Sequence, residues 1–384
     1  MKQDVAIIGA GVHGASAAIH LAERGARVVV LERGTPAGGP TGRSSAVVRG
    51  YYVNDFLART TRESIELFQH FTDWTHGGRA GFRTTGALFL HGEEDGDRVH
   101  DTAARLNAIG TSTEVLGRER LAAEFAHFAL DGLGWGVWER DAGYADPAGT
   151  TLGMLARAQR LGAEVRQGTR VMAVETDGTG VLLRTDAGDP IKADRLLVAA
   201  GPWTGPLLAG IGVRLPLRAE RHIIATYGWG EAAPVPYVWA SMPDGVYAKP
   251  DQRTGFLLGT LWPEDEADPD DFDEELAPAE ALRVTEAAVA RMPQLIDSAA
   301  AGGYTGLYDV APDWQPLIGY VTENVAVVAG TAGHGFKWAP ALGRHVADLL
   351  TGAPADPGLA QFAPDRFSRG ALVDGGFGAA KIMG

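Results

Sequence analysis

The sequence predicts a two-domain protein of the α/β class, α+β when both domains are counted, in which one domain is assembled from separated parts of the chain. A strand, a glycine-rich turn, a helix and a second strand occupy the start of the chain. The same alternation returns in the middle and near the end, and strand-rich stretches lie between. Alternating strands and helices of this kind build one mostly parallel sheet. We expect the first domain to comprise residues 1–80, 141–214 and 303–384, and the second to comprise residues 81–140 and 215–302.

The opening motif has the spacing of a dinucleotide-binding turn. Residues 4–8 (D-V-A-I-I) are apolar enough for a buried strand, and Gly9, Gly11 and Gly14 follow at G-x-G-x-x-G spacing. Gly9 allows the tight turn, Gly11 allows close approach of a pyrophosphate, and Gly14 allows the helix to pack on the sheet. The free N–H groups at the start of the helix then favour the negative charge of the pyrophosphate.

The second strand, residues 27–31, ends on Glu32. A carboxylate at this position binds the hydroxyl groups of an adenosine ribose and disfavours the 2′-phosphate of NADP. Because strand, glycines, helix, strand and acid occur in register, the pattern favours a dinucleotide site over an ordinary βαβ turn. A nicotinamide dehydrogenase more commonly keeps its cofactor domain contiguous, so the discontinuous pattern favours a flavin.

The other elements are predicted from apolar periodicity and from turn residues. Helices are expected at about residues 56–74, 98–109, 118–125, 150–161, 277–292 and 338–350. Strands are expected at about residues 82–91, 135–138, 163–166, 170–176, 180–185, 194–200, 303–307 and 324–329, with mainly strand from about residue 215 to residue 260. The acidic residues 264–275 are expected to form a solvated loop or helix start. The last thirty residues are expected to be poorly structured.

Composition excludes several classes of protein. The net charge of -14 without a basic cluster argues against a nucleic-acid partner or an anionic membrane surface. No apolar run approaches the roughly 18 residues that span a bilayer, and no secretion signal is visible, so we expect a cytoplasmic protein, monomeric or homodimeric. Because the chain has no cysteine and its ten histidines lack metal-site spacing, we expect no metal and no cofactor bonded through sulfur.

Several segments resemble the D-amino-acid oxidase superfamily, and within it the branch of sarcosine oxidase, glycine oxidase and dimethylglycine dehydrogenase. Besides the opening motif with Glu32-Arg33, they are R-S-S-A-V-V-R (43–49), D-A-G-Y-A-D-P (141–147), L-V-A-A-G-P-W (197–203), G-L-Y-D-V-A-P-D-W-Q-P-L-I-G (306–319) and G-T-A-G-H-G-F-K-W-A-P-A-L-G (330–343). The resemblance implies a Rossmann-like FAD domain of the p-hydroxybenzoate hydroxylase and glutathione reductase type, and a substrate domain with a mixed antiparallel sheet. It also implies oxidation of an amine C–N bond.

The resemblance assigns site residues by their positions in these motifs. With Gly9, Gly11 and Gly14, the implied FAD-binding residues are Val12, His13, Glu32, Arg33, Ser44, Ser45, Ala46, Val171, Ala200, Gly201, Trp203, Gly306, Leu307, Gly333, Gly335, Phe336 and Lys337. Arg49 matches an arginine that holds the substrate carboxylate in sarcosine oxidases, and Lys337 matches a lysine that shares this task. His334 is a further catalytic candidate, either as a base or as a hydrogen-bond partner of the flavin. The expected substrate pocket contains Tyr52, Tyr247, Trp239 and His222.

The chain departs from sarcosine oxidases at functional positions. Gly306 stands where the monomeric enzyme has the cysteine that bonds the flavin, and no histidine lies between His20 and His70, where the histidyl-linked members have theirs. We therefore expect non-covalent FAD. Leu257 and Leu261 stand where sarcosine oxidase has an oxygen-activating lysine and an active-site histidine.

The sequence leaves three alternative functions open. The first is an FAD-dependent oxidase of a secondary amine or amino acid, which forms an imine and, with oxygen, hydrogen peroxide. The second is a dehydrogenase that performs the same oxidation but passes electrons to another acceptor or a partner subunit, which Leu257 favours. The third is a non-redox role in which FAD is structural or the protein binds a partner.

Overall fold

A computed structural model of the chain describes residues 2–384. The α-helices are α1 (Val12–Glu23), α2 (Asp55–Gln69), α3 (Phe71–Trp74), α4 (Gly96–Ile109), α5 (Arg118–Glu124), α6 (Pro147–Arg160), α7 (Thr204–Ala209), α8 (Pro278–Arg291) and α9 (Ala339–Thr351). The strands are β1 (Gln3–Ile8), β2 (Val28–Leu31), β3 (Val47–Val48), β4 (Arg83–Thr84), β5 (Ala87–Gly92), β6 (Thr113–Gly117), β7 (Leu133–Glu139), β8 (Gly143–Tyr144), β9 (Glu164–Arg166), β10 (Val171–Thr176), β11 (Val181–Thr185), β12 (Ile191–Val198), β13 (Arg218–Gly228), β14 (Val238–Ser241), β15 (Val246–Asp251), β16 (Gly255–Thr260), β17 (Ala299–Val310), β18 (Leu317–Tyr320) and β19 (Val325–Ala329).

The first sheet contains the opening motif. Its strand order is β10-β11-β12-β1-β2-β9, and β19 extends it by pairing with β12 on one side and with β18 on the other. The strands β1, β2, β9, β12 and β19 run parallel, whereas β10, β11 and β18 are antiparallel to their neighbours. Strands β2 and β19 are buried at every residue, as expected for parallel strands covered on both faces. Helix α1 packs against both α6 and α9.

The second sheet forms the body of the other domain. Its order is β17-β13-β16-β15-β14-β5-β7-β6, antiparallel except between β14 and β5. Helix α8 packs against β13, β15 and β16. A short third sheet, β3-β8-β4, joins chain segments that lie far apart in sequence. The predicted fold class, an α/β domain with a mixed-sheet second domain, is confirmed.

The structure corrects three expectations about individual segments. Strand β17 continues in the second sheet to Val310, past the expected boundary at residue 303, because it pairs with β13 along its whole length. Strand β6 was not predicted, since only two of its five residues are fully buried and its apolar pattern is weak. The last thirty residues are also ordered, with 3₁₀-helices at Pro357–Phe362, Pro364–Phe367 and Lys381–Met383.

Among residues 2–384, no helix is both long and apolar enough to cross a bilayer.

Candidate functional site

The glycines of the opening motif have the local geometry that the sequence predicts. Gly9 has φ +104°, and a Cβ atom there would lie 2.3 Å from the carbonyl oxygen of Ala199. A Cβ atom at Gly14 would lie 1.9 Å from the carbonyl oxygen of Gly9. The lack of a side chain at Gly9 therefore lets the turn pack against the chain that follows β12, and the lack of one at Gly14 lets helix α1 pack against the end of β1. The N-cap residue Gly11 has no side chain to cap the helix, and the Thr41 hydroxyl accepts a hydrogen bond from the Val12 N–H at 3.2 Å.

A cavity of about 910 Å³ opens at this end of α1. The residues that the sequence assigned to the cofactor and that line the cavity are Gly9, Gly11, Val12, His13, Glu32, Arg33, Ser44, Val171, Ala200, Gly201, Trp203, Leu307, Gly333, Gly335 and Phe336. They come from the start, middle and end of the chain. The folded sheet therefore brings the predicted motif positions around one cavity.

The other assigned positions lie beside this lining. Gly14 packs against Gly9 as described, and Ser45 and Ala46 follow Ser44 in the chain, where the side chain of Ser44 accepts a hydrogen bond from the Ala46 N–H at 3.0 Å. Gly306 pairs with His222 across β17 and β13. Its Cα faces the side chain of Arg43, which a Cβ atom at Gly306 would approach to 3.3 Å.

The cavity has polar groups suited to a dinucleotide. The first turn of α1 lines the cavity and presents backbone N–H groups to a pyrophosphate. The Nδ1 atom of His13 is buried and has no hydrogen-bond partner in the protein, and burial lowers the pKa of His13 to about 3, so the ring is neutral. Glu32 accepts hydrogen bonds from the N–H groups of Ala10 (2.9 Å) and Gly34 (2.8 Å), which leaves lone pairs for ribose hydroxyls. These residues fit FAD.

An acidic residue closes one side of the cavity. The guanidinium of Arg33 stacks on the Trp203 ring, 3.8 Å from its centroid. Asp270 accepts hydrogen bonds from the indole N–H of Trp203 (2.8 Å) and from Arg33 (3.1 Å). Part of the acidic stretch 264–275 thus contacts predicted cofactor residues, which its composition alone did not indicate.

The structure brings Arg49, Tyr52, His334 and Lys337 together in one buried group, here called the Arg49 cluster. The guanidinium of Arg49 lies 4.6 Å from the centroid of the Tyr52 ring. The Tyr52 hydroxyl lies 3.2 Å from Nδ1 of His334, and the Lys337 ammonium donates to the carbonyl oxygen of His334 at 3.2 Å. Because Gly333, Gly335 and Phe336 line the cavity, the cluster adjoins it.

The contacts of His334 define its tautomer. Its Nε2 atom lies 3.2 Å from the carbonyl oxygen of Trp314, which can only accept, so Nε2 carries the proton. Its Nδ1 atom then accepts from the Tyr52 hydroxyl and from the indole N–H of Trp338 at 3.4 Å. Burial holds the pKa of His334 well below its ordinary value. The ring is therefore neutral and fully hydrogen-bonded, which is the environment of a positioning residue.

Burial also lowers the pKa of Lys337 and of Arg49. It holds the pKa of Lys337 well below its ordinary value, and the charge of Arg49 lowers that pKa further. Burial likewise lowers the pKa of Arg49, opposed by Tyr52 and by the charge of Glu139. An anion placed beside these two side chains would stabilise their protonated forms.

Glu139 is a site residue that the sequence did not indicate. This fully buried carboxyl group accepts hydrogen bonds from the N–H groups of Gly50 and Tyr51 (3.0 Å to Tyr51) and so fixes the backbone between Arg49 and Tyr52. Burial raises the pKa of Glu139 to about 7. The single available signal was an acidic residue at the end of an apolar strand, L-G-W-G-V-W-E.

The raised pKa of Glu139 predicts a pH-dependent stability. The folded protein holds this proton more tightly than the unfolded chain, whose carboxyl titrates near 4.5. Its stabilising contribution is complete below pH 4.5 and is lost as the pH rises to about 7. Between pH 5 and pH 8, the free energy of unfolding should therefore fall about 1–3 kcal/mol further in the wild type than in Glu139→Gln, since one pKa unit is about 1.4 kcal/mol.

Urea unfolding at both pH values measures this difference. Exposed Glu286→Gln is the matched control and should follow the wild type. Equal pH dependence in the wild type and Glu139→Gln would contradict the assignment.

Asp309 holds the loop that follows strand β19 and leads to His334 and Lys337. It accepts hydrogen bonds from the Gly330 N–H (2.7 Å), the Thr331 N–H (3.2 Å) and the Thr331 hydroxyl (2.9 Å). Burial raises the pKa of Asp309 to about 6. The loop that carries His334 and Lys337 is thereby tied to strand β17.

The other expected pocket residues are distributed over different environments. Tyr247 is buried in the same apolar core as Tyr52 and Leu257. The ring of His222 stacks on Tyr308, which lines the cavity, with 3.9 Å between centroids. His222 therefore lies behind the lining.

Trp239 does not join the Arg49 cluster. It belongs to the core on the other face of the second sheet and packs on Phe128, with 5.3 Å between ring centroids. Its neighbours Val238 and Ala240 belong to the core that contains Tyr52, and successive strand residues point to opposite faces. The expectation that Trp239 lines the substrate pocket is therefore corrected.

Within residues 2–384, no group of three or more His, Asp or Glu side chains is placed to hold a metal ion.

Comparison with known proteins identifies the family. The family model of the FAD dependent oxidoreductases, DAO, matches residues 4–349. The chain belongs to this family. It is therefore an FAD-dependent oxidoreductase that acts on amines or amino acids, and the resemblance inferred from the sequence motifs is confirmed.

Relatives within the DAO family include both oxidases and dehydrogenases. The chain is 26% identical to peroxisomal sarcosine oxidase of Homo sapiens, over 95% of this chain and 96% of the relative. It is 25% identical to mitochondrial dimethylglycine dehydrogenase of Rattus norvegicus, over 96% of this chain and 45% of the longer relative. Its fold superposes on L-proline dehydrogenase from P. horikoshii with a TM-score of 0.86, at 24% identity, over 97% and 99% of the two chains.

Proposed function

We propose that this protein is an oxidase of a secondary amine or amino acid that carries a carboxylate, and that it binds FAD without a covalent bond. The single observation that supports this most is the Arg49 cluster, which buries an arginine and a lysine side chain beside the cavity. An anionic substrate group would offset the cost of burying them. A planar guanidinium also matches a carboxylate by two parallel hydrogen bonds.

In this proposal the residues of the chain hold and desolvate the substrate. Arg49 and Lys337 bind the carboxylate, while the apolar side chains of Tyr247, Leu257 and Leu261 exclude water from the amine. Desolvation lowers the pKa of an amine and favours its neutral, reactive form. Bound FAD would supply the acceptor for the hydride equivalent that leaves the α carbon. The neutral amine thereby becomes an iminium ion, which gives the imine when its nitrogen releases a proton.

Two features support non-covalent binding. The chain has no cysteine, and Gly306 occupies the position of the flavin-linked cysteine of monomeric sarcosine oxidase. No histidine lies between His20 and His70. Denaturation should therefore release all of the flavin into the filtrate, and yellow colour retained on the denatured chain would contradict this part of the proposal.

The substrate class is tested by anaerobic addition of N-methyl, cyclic and D-amino acids to the purified protein. We expect at least one of these compounds to bleach the flavin absorption, and the corresponding amines without a carboxylate to bleach it far more slowly. If carboxylate and carboxylate-free compounds react equally well, the role of Arg49 is refuted.

A dehydrogenase that uses another electron acceptor is the second candidate. It is favoured by Leu257 and Leu261, which are both buried, at 3% exposure, and which replace the polar side chains of sarcosine oxidase. Admission of air after bleaching distinguishes the two functions. Rapid return of the flavin absorption with formation of hydrogen peroxide supports the oxidase, whereas flavin that stays reduced in air supports the dehydrogenase.

A further inference from the structure

Arg49 is already bound by another part of this chain. Its Nη2 atom donates to the carbonyl oxygens of Met383 (2.7 Å) and Ile382 (3.5 Å). A Cβ atom at Gly384 would lie 2.6 Å from the Tyr52 ring and 3.0 Å from the His334 ring. Backbone of residues 382–384 therefore occupies the surroundings of the Arg49 cluster in which the proposed substrate carboxylate would bind.

Further contacts anchor residues 375–384, here called the plug segment. Arg98 donates to the carbonyl oxygen of Gly376 at 2.8 Å, and the Phe377 ring packs on Tyr51 with 5.4 Å between centroids. The Ile382 N–H donates to the carbonyl oxygen of Leu261 at 3.3 Å. Phe377, Ile382 and Met383 are all buried, so the segment is inserted into the protein.

The same segment is built to move more easily than a helix or strand. Apart from one short 3₁₀ turn at Lys381–Met383 it has no regular secondary structure. Its sequence, G-G-F-G-A-A-K-I-M-G, contains four glycines, and Gly376 and Gly378 have positive φ angles of 75° and 60°. Glycine-rich backbone changes conformation at little steric cost.

We propose that the plug segment is a built-in competitor of the substrate: it occupies Arg49 in the resting protein and withdraws when a carboxylate binds. This inference rests on the proposed function, in which Arg49 holds the substrate carboxylate. The segment controls which carboxylates enter, because each must displace the carbonyl oxygens of residues 382 and 383.

Arg49 has hydrogen-bond acceptors both when the plug segment is bound and when a carboxylate replaces it. A buried guanidinium needs acceptors for its N–H groups. The carbonyl oxygen of Tyr51 accepts from Nη1, and the carbonyl oxygens of residues 382 and 383 accept from Nη2 in the resting protein. A carboxylate forms charge-assisted hydrogen bonds, which are roughly twice as strong as neutral ones. Substrate can therefore replace the segment, but its apparent affinity is the intrinsic affinity multiplied by the fraction of molecules in which the segment is withdrawn.

The absence of cysteine from the chain permits a direct test of movement. Met383→Cys places the only thiol of the protein in the plug segment, at a position that is 2% exposed. In the FAD-loaded variant, the thiol reagent DTNB should react slowly, and saturating benzoate should accelerate the reaction roughly tenfold or more. Benzoate is a carboxylate without an oxidisable α C–H, so no turnover is needed. A rate that benzoate leaves unchanged or slows would overturn the inference.

Two controls belong to this test. Ala187→Cys, on an exposed turn, should react fast with and without benzoate. Calorimetry must show that Met383→Cys still binds benzoate under the conditions of the thiol reaction.

Affinity for benzoate provides a second, independent measurement. Deletion of residues 375–384 should lower the dissociation constant of benzoate roughly tenfold or more, because the competitor is absent. Phe377→Ala, which weakens the anchor on Tyr51, should lower it by a smaller factor in an otherwise intact chain. Leu372→Ala, at a residue that is 63% exposed just before the segment, is the matched control and should leave it unchanged.

The outcomes separate this inference from the proposed function. If benzoate binds the wild type, Phe377→Ala and the deletion variant with equal affinity, the plug inference fails while the carboxylate site stands. If benzoate binds none of them, the role of Arg49 fails and the plug inference fails with it.

Discussion

Replacing Arg49 by alanine should raise the KM for a carboxylate-bearing substrate on the order of 100-fold or more. Each hydrogen bond to a charged group contributes about 1.5–3 kcal/mol, and 1.4 kcal/mol is a factor of ten in affinity. Because Arg49 is 3% exposed, its hydrogen bonds to the carboxylate are shielded from bulk solvent, and the alanine variant has no group that replaces them. Steady-state kinetics with the substrate identified by flavin bleaching measure the effect.

Arg49→Lys is the informative companion variant. It keeps the charge but loses the planar fork that binds a carboxylate by two bonds, so its KM should lie between those of the wild type and Arg49→Ala. Flavin content and the free energy of unfolding must be measured for both, since Arg49 also holds residues 382 and 383. An unchanged KM in a well-folded, flavin-loaded Arg49→Ala would exclude it as the carboxylate-binding residue.

Replacing Arg366 by alanine should lower the free energy of unfolding by about 3–5 kcal/mol. Arg366 forms two parallel hydrogen bonds to the Asp313 carboxylate, both 2.8 Å long, and a third to the carbonyl oxygen of Gln315 at 2.8 Å. The arginine is completely buried. Removing one member of such a pair leaves an uncompensated buried charge. Urea unfolding followed by fluorescence measures the loss.

The chain offers a matched control three residues away. Arg369 forms an ion pair with Asp365 at the same 2.8 Å, but both side chains are more than half exposed. Arg369→Ala should therefore cost less than about 1 kcal/mol. A loss below about 1 kcal/mol for Arg366→Ala as well would show that burial does not strengthen this pair, and that the segment after α9 is held by other contacts.

Much of the cofactor site could be predicted because its signals are local. The turn at Gly9, the helix that starts after Gly11 and the acid at Glu32 lie within one βαβ unit, and their spacing is set by backbone geometry. The later motifs were recognisable by resemblance, and most of their residues line the cavity. The side of the sheet that Trp239 faces was not predictable, because both faces of that strand are buried and its sequence does not alternate.

Glu139 and Asp270, which no sequence pattern indicated, act through contacts between distant segments of the chain. Glu139 binds backbone N–H groups about ninety positions earlier in the chain, and Asp270 reaches Arg33 across 237 positions. Acidic residues are common at strand ends and in loops, so neither has a distinctive local pattern. The proposed roles of both residues could be inferred only from their neighbours in the folded chain.

The sequence by itself determined the α/β class, the dinucleotide-binding turn, the family and the choice of Arg49 and Lys337 as candidates, because periodicity and motif spacing depend on short-range geometry. The tertiary structure alone decided that Arg49 is bound to residues 382 and 383, more than 330 positions away. It also decided that Glu139 binds the backbone N–H groups of Gly50 and Tyr51 and that His334 is neutral. These features depend on burial and on contacts between segments that only the folded sheets bring together, and no local pattern encodes them.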